Sequence, residues 1–190
     1  MARFDDIYEI AADNYGLVTF AEALDAGVTS VELRRFVKDG RLERIGQGVY
    51  KLTRYIPTPY DQYAEAVALV GPGAYLHGES VLALHDLALV NPLKISVASP
   101  KRVRKKLPKW ISVVATDKME IPTNYEGIPS QSVADALRFS KRSVMKERLA
   151  DAVRDAAREG LIDEATEVTL RKEFSQPWRL SNQTAGATSI

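Results

Sequence analysis

Residues 19–51 constrain the fold more than any other segment, because they have the spacing of two short helices followed by a β-hairpin. Thr19 is a suitable helix cap, and Glu22 three residues later completes a capping box, in which each residue bonds the backbone of the other. Gly27 suits the turn between the helices, since glycine adopts positive φ without a steric penalty. The pattern predicts a helix-turn-helix.

The second helix of the pair is expected to present a basic face, and Ser30 is expected to cap it. Its predicted inward residues recur at roughly helical spacing and are Val31 (or Val28), Leu33, Phe36 and Val37. The outward face of this helix then carries the charged residues Glu32, Arg34, Arg35 and Lys38. A basic helix of about ten residues fits the major groove of DNA.

A β-hairpin is predicted after the Asp39-Gly40 stop, since polar and apolar residues alternate around Gly46-Gln47-Gly48. Beside a recognition helix, such a wing can contact phosphates or the minor groove. The competing interpretation is a helical hairpin with a solvated charged face, but capping, glycine spacing and wing all agree on DNA binding. The predicted DNA-binding residues are Thr29, Ser30, Arg34, Arg35, Lys38, Arg41, Arg44, Gln47 and Lys51.

Composition bounds the rest of the chain. The 190 residues are 45% hydrophobic, which suffices for two small cores, and the formal net charge is only +1, so the basic patch is local. The lack of cysteine excludes disulfides and thiolate metal sites. With neither an apolar signal sequence nor a stretch of about 20 apolar residues, the chain is expected to be cytoplasmic and free of membrane spans.

We predict an α+β protein, with an N-terminal winged helix-turn-helix domain followed by a mixed α/β, helix-rich C-terminal domain. Two prolines, Pro57 and Pro59, stiffen the chain between them. The predicted parts are the winged domain 1–56, the linker 57–60, the second domain 61–178 and a flexible polar tail 179–190. Within the second domain we predict helices over 61–70 and 74–87, strands over 92–99 and 110–115, and about three helices after residue 131.

The two histidines, His77 and His85, are interpreted as packing or capping residues, since no third histidine and no cysteine could complete a metal site with them. No nucleophile, base or metal set emerges from the pattern. We therefore predict no enzymatic activity, no metal and no cofactor.

The most basic segment lies between the two predicted strands, at residues 101–109, as a hairpin or loop. Its basic residues are Lys101, Arg102, Arg104, Lys105, Lys106 and Lys109. Three interpretations stay open, because charge alone does not select a partner: DNA phosphates, an acidic protein partner, or solvent.

Three motifs in this order resemble the AbiEi antitoxins of type IV toxin-antitoxin systems. They are Val28-Thr-Ser, the wing Leu42-Glu-Arg-Ile-Gly-Gln-Gly-Val-Tyr, and Tyr75-Leu-His-Gly-Glu-Ser-Val-Leu-Ala-Leu-His-Asp-Leu. The resemblance implies a non-enzymatic cytoplasmic protein whose N-terminal domain represses its own operon by binding inverted repeats in double-stranded promoter DNA. It also implies a C-terminal domain that counters a nucleotidyltransferase-like toxin without a stable complex.

Two other functions are weighed against this one. A nuclease-like second domain would need clustered carboxylates to hold magnesium, and the predicted strands lead only to Asp117, Lys118 and Glu120 without a second acidic strand position. A protein-interaction adaptor would use the winged helix as a scaffold. Magnesium-dependent nicking of plasmid would indicate the nuclease, and absence of a salt-sensitive DNA shift would indicate the adaptor.

Overall fold

The first of two sheets organises the N-terminal third of the chain into a winged helix. The computed structural model describes residues 2–116 and 122–175. The elements of this first unit are α1 (Ala2–Ala12), β1 (Leu17–Thr19), α2 (Phe20–Asp25), α3 (Ser30–Lys38), β2 (Leu42–Gly46) and β3 (Val49–Leu52). Its sheet is antiparallel in the order β1-β3-β2. The predicted helix-turn-helix and hairpin are confirmed, whereas β1 was not predicted.

Capping boxes begin both helices of the helix-turn-helix. At α2 the Glu22 N–H donates to Thr19 Oγ1 at 3.2 Å and the Thr19 N–H donates to Glu22 Oε2 at 2.7 Å, as predicted. The assignment of Ser30 as cap of α3 was wrong, because Thr29 holds that position and exchanges the same two bonds with Glu32. Three residues after Ser30 stands Leu33, which cannot bond back to the cap.

The small core of the first unit forms where α3 crosses α1 and α2. Ile7, Val28 and Leu33 are fully buried, and Phe36 packs against them. Val31, predicted to face inward, is instead 66% exposed. Each residue advances about 100° around a helix, so Val31 lies about 200° from Leu33 and points away from the core.

A five-stranded mixed sheet organises the second unit, in the order β6-β5-β4-β8-β7. Strand β4 pairs parallel to β8 and antiparallel to β5, while β5 pairs parallel to β6. The elements are α4 (Asp61–Val70), β4 (Tyr75–Leu76), α5 (Glu79–Leu84), β5 (Ile95–Ser99), β6 (Ile111–Ala115), β7 (Thr123–Tyr125), β8 (Ile128–Ser130), α6 (Val133–Phe139), α7 (Lys146–Arg158) and α8 (Glu164–Ser175).

One prediction for the second unit needs correction. The helix predicted over 74–87 is wrong in its first part, because Tyr75 and Leu76 are buried in the central strand and the φ of +57° at Gly78 separates them from α5. The basic segment, predicted as a hairpin or a loop, is a loop, since the strands it joins run parallel. The helix over 61–70 and the three helices after residue 131 are confirmed.

The two units share a core. Leu17 and Val49, which belong to the first sheet, are buried in the larger cluster that contains α4 and the second sheet. Leu69 of α4 fills the space beside Gly46, where an added Cβ would overlap its Cδ2. Residues 176–178 of the predicted second domain and the predicted tail 179–190 lie outside the described residues. Among the described helices, none combines the length and apolar character needed to cross a bilayer.

An ionic cluster reinforces this junction. Lys51 Nζ on β3 lies 3.0 Å from Asp61 Oδ2 and 2.6 Å from Glu65 Oε1 on α4. Burial alone would raise the pKa of Asp61, but hydrogen bonds from Thr58 and Lys51 outweigh it and hold the pKa below its ordinary value. Burial alone would lower the pKa of Lys51, and the two carboxylates outweigh it and raise that pKa.

Replacing Lys51 with Met is expected to lower the free energy of unfolding at pH 7 by about 1–3 kcal/mol, because two partly buried carboxylates are left without their cation. The depressed pKa of Asp61 contributes stability above its unfolded value of about 3.9, and this is lost as the pH falls through the folded value. The difference between variant and wild type should therefore shrink at pH 3 in urea titrations. An undiminished difference at pH 3, or an equal loss when the exposed Lys172 of α8 is replaced with Met, would contradict this assignment.

Candidate nucleic-acid interface

The exposed face of α3 gathers the cations predicted for the recognition helix. Arg35 is held loosely, its Nε 3.6 Å from Asp39 Oδ2 and its side chain 78% exposed. Arg34 donates from Nε to the Ser30 carbonyl at 3.1 Å, and Lys38 is exposed one turn further on. Within the described part of the chain, the terminal guanidinium nitrogens of Arg34 meet no protein acceptor. Both arginines therefore retain donors for a base edge or a phosphate.

Glu32, the acidic residue of α3, is paired with other groups of the same chain. Bonds from the Thr29 backbone and hydroxyl hold the pKa of Glu32 below its ordinary value, and Arg3 of α1 donates to the same carboxylate at 3.0 Å. Glu32 therefore caps the helix and pairs with α1, so its charge opposes phosphate less than the sequence alone suggests. The Thr29 hydroxyl is engaged with Glu32, while Ser30 stands half-buried in the first turn.

The wing presents three of its four predicted residues on its exposed surface. Gln47 forms the tip, and the Arg44 Nε donates to the Gly46 carbonyl at 3.2 Å, across a bulge in the β2–β3 ladder. Arg41 lies over the Phe4 ring at 4.8 Å and remains exposed. Lys51 does not join this set, because the carboxylates of α4 hold it at the junction with the second unit.

Hydrogen bonds fix the start of the basic loop, and its basic side chains differ in how exposed they are. Ser99 Oγ accepts from the Lys101 N–H at 3.3 Å and donates to the Lys101 carbonyl at 2.9 Å. Five of the six basic side chains are exposed, namely Lys101, Arg102, Arg104, Lys106 and Lys109. The sixth, Lys105, is half-buried, with Nζ 3.5 Å from where a Cβ on Gly71 would stand, at the end of α4.

The wing and the basic loop meet on one surface, which the sequence did not reveal. Gln47 lines a shallow pocket of about 470 Å³ together with Lys101, Arg102 and Arg104. We use the name basic face for the exposed cations of α3, the wing and this loop taken together, of which the pocket joins the wing tip and the loop. It unites two segments predicted separately and matches the negative charge of a nucleic-acid backbone.

The histidines pack against aromatic rings, as predicted. His77 is buried with its ring centroid 4.3 Å from that of Phe139, and His85 lies 4.0 Å from Tyr125. Burial lowers the pKa of His85, which favours a neutral ring. Asp117, Lys118 and Glu120, the residues of the nuclease alternative, lie outside the described residues.

Comparison with known proteins bears on the first unit alone. Residues 5–53 match a family model described as a transcriptional regulator, AbiEi antitoxin. The matched segment runs from α1 through β3, so it contains the whole recognition helix and wing. The resemblance found in the sequence is thereby confirmed for the N-terminal unit, which is similar to that of a family of transcriptional regulators. No curated protein matches the chain.

Proposed function

We propose that this protein is a transcriptional regulator that binds double-stranded DNA at its own promoter and represses its own operon. The observation that carries the proposal is the basic face, in which the exposed arginines of α3 and the wing lie on one winged helix. The match of residues 5–53 to the family model supports it.

The two parts of the face have different tasks in this proposal. Arg34 and Arg35 enter the major groove, where a guanidinium bonds guanine through two parallel N–H groups and so specifies sequence. Lys38, Arg41, Arg44 and Gln47 hold the sugar-phosphate backbone and set the orientation on the duplex. A single winged helix buries roughly 600–1,000 Å² on DNA, so two copies are expected to bind paired, inverted repeats.

The test is fluorescence anisotropy of the full chain on its own upstream DNA and on scrambled DNA of equal composition, at about 50 and 200 mM salt. Tighter binding to the promoter that weakens with salt supports the proposal, because each neutralised phosphate releases counterions. Equal affinity for both sequences, or no binding at 50 mM salt, would reject sequence-specific regulation.

We further propose that the second unit acts as a type IV antitoxin against a nucleotidyltransferase-like toxin, without forming a stable complex with it. The support is the antitoxin description of the matched family. Co-expression of the chain with the toxin encoded beside it should restore growth, while the purified proteins should elute separately in size-exclusion chromatography. Failure to restore growth would reject the antitoxin role and leave DNA binding unaffected.

The basic loop is proposed to bind phosphate alongside the wing. Replacing Lys101 and Arg102 with Gln should weaken binding to promoter and scrambled DNA by the same factor. It should also lower the salt slope by about one unit for each phosphate that the variant no longer neutralises. The measurement is the anisotropy titration at several salt concentrations. As a control, Lys172→Gln on α8 should leave the slope unchanged, and an unaltered slope in the double variant would assign the loop to another partner.

A further inference from the structure

A cleft separates the DNA-binding unit from the second unit on one side of their shared core. It has a volume of about 590 Å³ and is bounded by α2 and the wing turn on one side and by α4 and the β7–β8 turn on the other. Small-molecule sites usually measure about 300–1,000 Å³ and favour junctions between units. The cleft therefore has the size and the place of a ligand site.

The walls of the cleft are mostly apolar. Phe20 faces it from α2, Ala68 from α4 and Pro129 from β8, and all three side chains are at least partly exposed. The one carboxylate among the described lining residues, Glu22, is committed to the capping box at Thr19, where Oε2 accepts from the backbone and the hydroxyl. An occupant would thus find apolar surface along most of its length.

Among the residues that the structure describes, Lys105 is the one cation in the lining. Its side chain is half-buried, and this burial lowers the pKa of the amine. None of the ion pairs formed among residues 2–116 and 122–175 includes it, and its amine lies near the carbonyl end of α4. A partly buried ammonium without a carboxylate gains most from an incoming anion. Lys105 thereby differs from its five exposed neighbours.

We propose that the cleft binds an amphipathic organic anion, whose carboxylate, sulfonate or phosphate pairs with Lys105 while its apolar body lies against Phe20, Ala68 and Pro129. The cleft is too confined for a duplex or a folded protein, and its single cation suits one acidic group. The occupant is therefore a small molecule.

Binding here has a consequence for the wing. Gln47 and Gly48 line the same cleft, so a bound anion touches the turn that carries the tip of the basic face. Any change that the anion causes in DNA affinity must be matched by an equal change that DNA causes in anion affinity. Only this consequence depends on the proposed DNA binding, because occupation of the cleft does not require DNA.

The test uses the fluorescent probe 8-anilinonaphthalene-1-sulfonate, an aromatic sulfonate, titrated into the full chain without DNA. Lys105→Gln should weaken its binding about tenfold, through loss of a charge-assisted hydrogen bond. Ala68→Phe should abolish binding by filling the cleft. The matched control Lys106→Gln, an exposed neighbour, should leave the affinity unchanged. N-phenyl-1-naphthylamine, which lacks the sulfonate, should respond to Ala68→Phe and not to Lys105→Gln.

Unchanged sulfonate affinity in Lys105→Gln overturns the proposal, as does an equal loss in Lys106→Gln, which would indicate attraction to the loop as a whole. Circular dichroism establishes whether Ala68→Phe is folded, and a folded variant that still binds the probe also overturns it. Should that variant unfold, the comparison of Lys105→Gln with Lys106→Gln decides. Because DNA is absent, failure here is distinct from failure of the regulator.

Discussion

Replacing Arg35 with Ala is expected to weaken binding to promoter DNA by about 1–3 kcal/mol, roughly 5- to 150-fold in Kd, and to weaken binding to scrambled DNA much less. The side chain is 78% exposed, and the protein holds it only through a 3.6 Å ion pair with Asp39, so the alanine variant should fold normally. The lost binding free energy comes from a contact with a base, and only the matching sequence offers that base. Anisotropy titrations on both DNAs at one salt concentration measure the difference.

Two further variants test whether Arg35 reads a base. Lys38→Ala, on the same helix, should reduce binding to both DNAs alike, since a single ammonium bonds phosphate without selecting a base. Lys172→Ala on α8 should change neither affinity. Equal losses of Arg35→Ala on promoter and scrambled DNA would show that Arg35 positions the helix and reads no base. Arg34 would then be the next arginine to replace.

Replacing Leu17 with Ala is expected to lower the free energy of unfolding by about 2–5 kcal/mol, because it leaves a cavity at a side chain that is only 1% exposed. Leu17 lies on β1 of the winged helix, yet it is buried in the larger core with α4. Urea titrations should therefore show one transition, with far-UV circular dichroism and tryptophan fluorescence in agreement. A Trp178→Phe background leaves Trp110, which packs against the larger core, as the reporter.

The control for this experiment is Val31→Ala, which removes a side chain of similar character that is 66% exposed. Its effect should stay within about 0.5 kcal/mol. Separate transitions for the two probes in Leu17→Ala would show that the winged helix unfolds independently. The shared core would then contribute little to cooperativity.

The elements that could be predicted from the sequence are those whose causes are local. A capping box spans four residues and a helix face repeats every three or four, so α2, α3, α4 and the three C-terminal helices were accessible. The wing was accessible for the same reason, because Gly48 takes a φ of +72° at a tight turn. The cap of α3 was predictable too, since Glu32, which bonds back to Thr29, lies three residues after it.

Features that depend on distant parts of the chain were not accessible. A strand of two residues such as β4 has no period to detect, and its place at the centre of the sheet depends on partners at β5 and β8. Lys51 has the charge and spacing of a phosphate ligand. Its role at the junction becomes visible only when folding places Asp61 and Glu65 beside it. The same holds for Gln47 and Lys101, which share a surface through tertiary packing alone.

The anchoring of β3 to α4 determines how a pair of these molecules would respond to altered operator geometry. A winged helix on a flexible tether could swivel to follow a displaced repeat, whereas one that meets α4 both at Gly46, beside Leu69, and at Lys51 must carry its whole second unit along. One inserted base pair turns a half-site by roughly 35° about the duplex axis. If two molecules bind paired repeats as proposed, their second units would then be rotated relative to each other, and the distance between the repeats would affect affinity.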